Sequence, residues 1–223
     1  MAATLDESQS SIHAADAASV EPRVRARAAR RIALLETAES VFAERGFAGA
    51  TMAEIASRAG YSAGNLYNVF EGKDALFEEV VATRGDEVLA TVRDAIRGSQ
   101  TLPEIIDAYV DATLELVENR RGFFVLLSQT APDFDWRSER AKEKGAHLLN
   151  QLDAGLEQLF LNAMERGEIP QGNAKPYACL LHGTLNAHIS TWIRNEGSKD
   201  DLWGSASDLK RLLCQALGVA PKR

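Results

Sequence analysis

From residue 24 onward, apolar residues recur at three- and four-residue intervals, with no stretch of the two-residue alternation that marks a half-buried strand. No Asn-Gly hairpin signal appears either. The six prolines, at 22, 103, 132, 170, 176 and 221, sit at the boundaries of periodic stretches. This pattern predicts an all-α protein of about nine helices. They open near residues 24, 51, 62, 73, 103, 121, 137, 174 and 206, with linkers such as NRRG, APDFDW and EGSKDDLWGS between them. At 223 residues the chain buries roughly 70% or more of its unfolded surface, so it needs neither a disulfide nor a metal to fold.

One stretch, ATMAEIASRAGYSAGNLYNVF (residues 50–70), constrains the local geometry most. Thr51 and Glu54 have the spacing of a capping box, and Met52, Ile55, Ala56 and Ala59 give the helix that follows an apolar face. Gly60 supplies the positive φ of a tight turn, and Ser62 caps the next helix. Ala56 is small enough for a close helix crossing, and Leu66 pins the second helix to the first, which is the spacing of a helix-turn-helix. On a wheel of the second helix, Ala63, Leu66 and Phe70 take the core side. Gly64, Asn65 and Asn68 take the opposite side, with Tyr67 and Val69 on the flanks. Gly and Asn are poor helix formers for a solvated face, but suit one that another surface approaches, since amides hydrogen-bond base edges.

The net charge of −7 argues against a nucleic-acid partner until its distribution is read. Residues 1–21 carry −4, residues 22–73 carry +3 and residues 74–223 carry −6. The positive segment includes Arg23, Arg25, Arg27, Arg30 and Arg31, a basic arm suited to phosphates or a minor groove. Three regions follow: a disordered tail over 1–21, rich in Ala, Ser and acids; a DNA-binding domain over 22–73; and a helical domain over 74–223.

Phe42, Gly46, Thr51, Ile55-Ala56, Ala59-Gly60, Ser62, Leu66-Tyr67, Phe70 and Lys73 together resemble the DNA-binding domain of TetR-type repressors, over residues 32–77. The resemblance implies a homodimeric, cytoplasmic transcriptional repressor. Its operator is a near-palindrome in double-stranded DNA, and a small molecule bound in the second domain releases it. Position by position, Thr51, Ser62, Tyr67 and Lys73 match phosphate contacts, beside the arginine arm. Ala63, Gly64, Asn65 and Asn68 match the base-facing part of the recognition helix. Val69 departs from the family, which commonly places His or Tyr there, so one backbone contact is in doubt.

In the second domain the dimer is expected through the last two long helices. Ala178, Leu181, Leu185, Ile189 and Trp192 line one, and Leu209, Leu212, Leu213, Ala216 and Leu217 the other; burial inside one subunit is the competing reading. Gly183 and Ala187, four apart, would let helices approach closely. Tyr109, Phe123, Phe124, Trp136, His182, Asn186 and Trp192 are the candidate lining of an effector cavity, which points to an apolar or aromatic ligand with one or two polar anchors. Arg120 and Arg121 fit either an anionic ligand or helix-end carbonyls.

Enzyme chemistry finds no support. His182 and His188 are six apart and cannot form an i, i+4 metal pair, and Cys179 and Cys214 lack chelating spacing and are read as buried thiols. Asp133 and Asp135 have no partner base, and no phosphate loop or Gly-x-Ser-x-Gly occurs. No catalytic residue, cofactor, metal or membrane span is expected. A helical protein-binding adaptor without DNA activity is the alternative.

Overall fold

A computed structural model describes residues 4–130 and 139–220, with side chains described over 25–127 and 150–220. It has ten helices among the described residues: α1 (Thr4–Gly49), α2 (Met52–Arg58), α3 (Ala63–Tyr67), α4 (Lys73–Ile96), α5 (Leu102–Asn119), α6 (Arg121–Thr130), α7 (Glu139–Glu165), α8 (Lys175–Arg194), α9 (Lys199–Gly204) and α10 (Ala206–Ala216). The tenth is α9, inside the stretch expected as a linker. Ser198 and Asp201 form a reciprocal capping box there and close one short turn. The backbone is also helical from Thr4, where the sequence pattern predicts a disordered tail. Alanines, the best helix formers, are frequent in this stretch.

Two buried clusters divide the molecule. The first joins Leu34, Leu35, Ala38, Val41 and Phe42 of α1 to Met52, Ile55 and Ala56 of α2, Leu66 of α3, and Phe70. It also takes Leu76, Phe77, Val80 and Val81 from the first half of α4 and Leu126 from α6. The second cluster begins with Val92 on the same helix and draws on α5, α7, α8, α9 and α10. The apolar content of α4 thus changes owner between Val81 and Val92, further along than the composition change near Lys73. Ile32 is half exposed at 50%, just before the first cluster begins at Leu34.

The second cluster buries Ala178, Leu181, Leu185, Ile189, Trp192, Leu209, Leu213 and Leu217 within one chain. Burial inside one subunit is therefore the correct reading for these residues. What α8 and α10 leave exposed is a different face, carrying Leu180, Gly183, Ala187, Leu212 and Ala216. Cys179 is also exposed, not buried, and Cys214 is buried. No helix of the described residues is long and apolar enough to cross a membrane.

Candidate nucleic-acid interface and effector site

The helix-turn-helix is held by caps more than by contact area. Thr51 Oγ1 accepts from the Glu54 amide at 3.2 Å and starts α2. The return half of the capping box is absent: the Glu54 carboxylate accepts from Arg58 at 2.7 Å and Arg45 at 3.4 Å instead. Two charge-assisted partners compete well with one backbone N–H. At the other end of α2 the Gly60 amide donates to the Ser57 carbonyl and the Tyr61 amide to the Ala56 carbonyl, a Schellman closure with Gly60 at φ +73°. Ser62 Oγ then accepts from the Asn65 amide at 3.2 Å and opens α3.

Of α3 itself only Leu66 is buried, with no exposed surface, and Phe70 follows it into the core. Gly64, Asn65, Tyr67, Asn68 and Val69 are all exposed. Ala63 is exposed as well, which corrects its place on the core side of the wheel and leaves it beside Gly64 on the outer face. It is the first residue of a helix only five residues long, too early to reach the crossing. A Cβ at Gly64 would meet nothing within 4 Å, so its missing side chain is not required by packing within the chain.

The phosphate candidates fare unevenly. Thr51 and Ser62 are exposed, and each hydroxyl keeps its own proton for an outside acceptor while its oxygen caps a helix. Arg25 and Arg27 are exposed along α1, whereas the side chain of Arg23 lies outside the described residues. Lys73 is half-buried. Its Nζ donates to the Ala50 carbonyl at 2.9 Å and the Ala48 carbonyl at 3.3 Å, and stands 4.6 Å from the Phe47 ring centroid. The ammonium closes the end of α1 and leaves at most one donor for a phosphate. Arg31, expected in the basic arm, pairs with Glu79 at 2.8 Å and lies 5.0 Å over the Phe70 ring, tying α1 to α4.

In the second domain three of the effector candidates come together. Tyr109 on α5 and His182 on α8 approach at 3.2 Å between Oη and Nδ1, and Asn186 Nδ2 stands 3.4 Å from His182 Nε2. Burial lowers the His182 pKa and Asp153 on α7 only partly opposes that, so the imidazole is neutral near pH 7. It then donates at one nitrogen and accepts at the other. Burial, helped by Asp153, raises the Tyr109 phenol well above its usual range. Phe123 is fully buried and edge-on to the half-buried Phe124. Trp192 is buried under Arg121, and Trp136 lies outside the described residues.

Sequence reasoning missed Asp153 and a buried ionic group at the join of the clusters. Asp153 stands three and seven residues before Leu156 and Phe160, at the edge of the stripe that α7 buries. Arg84 is 2% exposed, with Nε donating to Glu39 and Nη1 to Glu87, both at 2.7 Å. Burial works against its charge, but the two carboxylates outweigh that and hold the guanidinium protonated. A charge at the i+4 position of the buried Val80 was the available signal. Arg120 and Arg121 serve neither expected role alone. Arg120 pairs with Glu36 and Glu87, while Arg121 donates to the Gly197 carbonyl and covers Trp192.

A capped helix-turn-helix with a bare outer face, joined through one long helix to a separate helical domain, defines a DNA-binding transcriptional regulator. Residues 34–80 match the bacterial regulatory proteins of the tetR family. The chain is 30% identical to the HTH-type transcriptional repressor BepR of Brucella suis biovar 1 over 191 residues, 80% of this chain and 88% of that one. It is 29% identical to the HTH-type transcriptional repressor KstR2 of Mycobacterium tuberculosis over 135 residues, 58% of this chain and 68% of the relative. In fold it is similar to the transcriptional regulator FadR of Bacillus subtilis, solved in complex with stearoyl-CoA. The TM-score is 0.73 at 18% identity, over 82% of this chain and 96% of that one. The chain belongs to the tetR family.

Proposed function

We propose that this regulator is a cytoplasmic homodimeric repressor, released from a near-palindromic operator by a small molecule bound between α5, α7 and α8. The observation that carries the DNA half is the outer face of α3, where Gly64, Asn65 and Asn68 are exposed and unneeded by the core. Asn65 and Asn68 read bases, Ala63 and Gly64 permit close approach, and Thr51, Ser62, Tyr67, Lys73 and the α1 arginines bind phosphates. With no Arg or Gln on that face, few direct base bonds form, and DNA shape supplies the remaining discrimination.

Dimerisation uses the exposed Leu180, Gly183, Ala187, Leu212 and Ala216, and two copies of α3 then read successive turns of one groove. Tyr109, His182 and Asn186 are the polar anchors of the effector, whose body is apolar. BepR and KstR2 are repressors by name, and FadR holds a long acyl chain on a thioester carrier, so stearoyl-CoA is the first probe to try. A hundredfold release needs about 2.7 kcal/mol of coupling between the two sites, within the usual range.

The test is selection of bound duplexes from a random pool, followed by titration of the selected complex with stearoyl-CoA and with shorter apolar acids. A near-palindrome whose affinity falls steeply between about 50 and 200 mM salt is expected. Recovery of no preferred sequence would return the protein-binding adaptor as the better reading.

A further inference from the structure

Arg120 and Arg121 are adjacent, yet they hold different parts of the molecule. Arg120 closes α5, with Nη1 3.4 Å from Glu36 Oε1 on α1 and Nη2 3.6 Å from Glu87 Oε2 on α4. Arg121 opens α6, with its guanidinium carbon 4.4 Å from the Trp192 ring centroid on α8 and Nη1 donating to the Gly197 carbonyl at 3.3 Å. Trp192 is itself fixed, since Nε1 donates to the Ser198 carbonyl at 2.7 Å. At the corner between α8 and α9 a Cβ at position 197 would stand 2.3 Å from Trp192 Cδ1, so any side chain there must displace the indole.

On the DNA-binding side the charges are unevenly satisfied. Glu39 and Glu87 take Nε and Nη1 of Arg84, leaving Nη2 buried without a hydrogen-bond partner among the described residues. Glu36 Oε1 stands 3.6 Å from it, and the same atom stands 3.4 Å from Arg120. Both distances exceed a well-formed N–H···O bond of about 2.7–3.2 Å, so neither guanidinium fully owns this carboxylate. An open groove of about 620 Å³, lined by Glu36, Glu39, Arg120, Arg121 and Gly122, lies between α1 and α6 and gives these side chains room to change partner. Moving Glu36 toward Arg84 satisfies the orphan N–H and frees Arg120 from α1; moving it toward Arg120 binds the start of α6 to α1.

We infer that the Arg120–Arg121 step is an ionic joint between the α8–α9 corner and the DNA-binding domain, with Glu36 as the carboxylate that exchanges partners. The joint rests on the regulator reading for its purpose, because it would carry a change at His182 along α8 to Trp192 and onward to α1 and α4. Two discrete arrangements, rather than a continuous deformation, are what such coupling requires.

The experiment is hydrogen exchange on the full-length protein, read in α1 peptides around residues 33–40. Gly197→Ala displaces Trp192 and is expected to change exchange there by about threefold or more, the scale of a modest change in local opening. In an Arg120→Gln background the same Gly197→Ala change is expected to leave those peptides unaltered, while Arg97→Gln, an exposed control just after α4, preserves the response. If Gly197→Ala folds poorly, Trp192→Phe removes the Nε1 bond and weakens the stack without a clash. An α1 response that survives Arg120→Gln, or no response in the parent protein, overturns the joint. Neither DNA nor effector enters this measurement, so a failure to bind any operator would count against the regulator reading and leave this result standing.

Discussion

The two buried clusters share α4 but are stabilised in different ways. Around the first, α2 has seven residues and α3 five, both shorter than the roughly 12–15 that an isolated helix needs. They persist through two hydroxyl caps, one glycine turn and a few buried side chains. The second cluster is built from helices of 18, 27 and 20 residues, each with a long apolar stripe. The reading surface is therefore positioned by few contacts and the effector domain by many. Single substitutions should hit DNA binding through position in the first region, and through overall stability in the second.

Leu66→Ala and Leu181→Ala test this most severely. Both side chains have no exposed surface, and each truncation should cost about 2–5 kcal/mol. Thermal unfolding would register similar losses. Operator binding, measured below both transitions, should vanish in Leu66→Ala, since α3 loses its only buried residue, and survive in Leu181→Ala. Equal loss of DNA binding in the two variants would break the comparison.

The next effect separates two kinds of contact inside the reading surface. Asn68→Ala should relax preference at one operator position by about 1–3 kcal/mol, with little change in fold stability. Lys73→Ala should weaken all duplexes alike, reduce the salt slope by about one, and also lower stability. The added stability loss follows from its bonds to the Ala48 and Ala50 carbonyls, which a pure phosphate contact would not make. Binding titrations at several salt concentrations, paired with denaturation, resolve the two.

How far the sequence revealed these features depends on the range of the interaction. The turn at Gly60, the caps at Thr51 and Ser62 and the pin at Leu66 are all local, so residue type and spacing specify them. Glu54 was misassigned because Arg45 and Arg58 compete for it from across and along the helix. On α8, periodicity identified an apolar stripe but not whether it faces the same chain or a second one, since both are equally apolar. Tyr109, His182 and Asn186 were legible as residue types, but their meeting joins α5 to α8 across 73 residues. Asp153 and Glu36 matter through partners on other helices, and no local pattern announces them, whereas Arg84 shows locally only as a charge at i+4 from the buried Val80.

Two glycines four residues apart sharpen the contrast within the short helices. Gly60→Ala places a Cβ at φ +73° and should destabilise by about 1–2 kcal/mol, reading out as a lower midpoint in denaturant. Gly64→Ala enters open space in a helix and should stabilise the free protein by roughly 0.5–1 kcal/mol. It should nevertheless weaken operator binding if the outer face of α3, where the new methyl group stands, meets DNA as proposed. Improved stability with unchanged operator affinity would show that the groove does not come close to Gly64.

The smallest effect belongs to the second cluster, where a polar group is buried among many apolar ones. The folded His182 titrates below its usual value near 6.5, chiefly through burial. Between those two values the unfolded chain binds more protons than the folded one, so stability rises with pH across that window. Above about 6.5 the contribution is fully present, and it is lost as pH falls toward the folded value. His182→Gln should flatten this part of the stability curve, measured by denaturant unfolding between about pH 5 and 8, without changing operator selection. Tyr109 supplies the opposite slope: with its folded pKa raised by burial, its contribution is present below the usual phenol value of 10.0 and lost as pH climbs past the folded one. Tyr109→Phe should remove that alkaline limb. An effector anchored on the neutral imidazole would extend the His182 window, because a bound ligand disfavours protonation further and steepens the acid-side loss. Acid-side slopes that are identical with and without a releasing ligand would detach His182 from the effector while leaving its place in the second cluster unchanged.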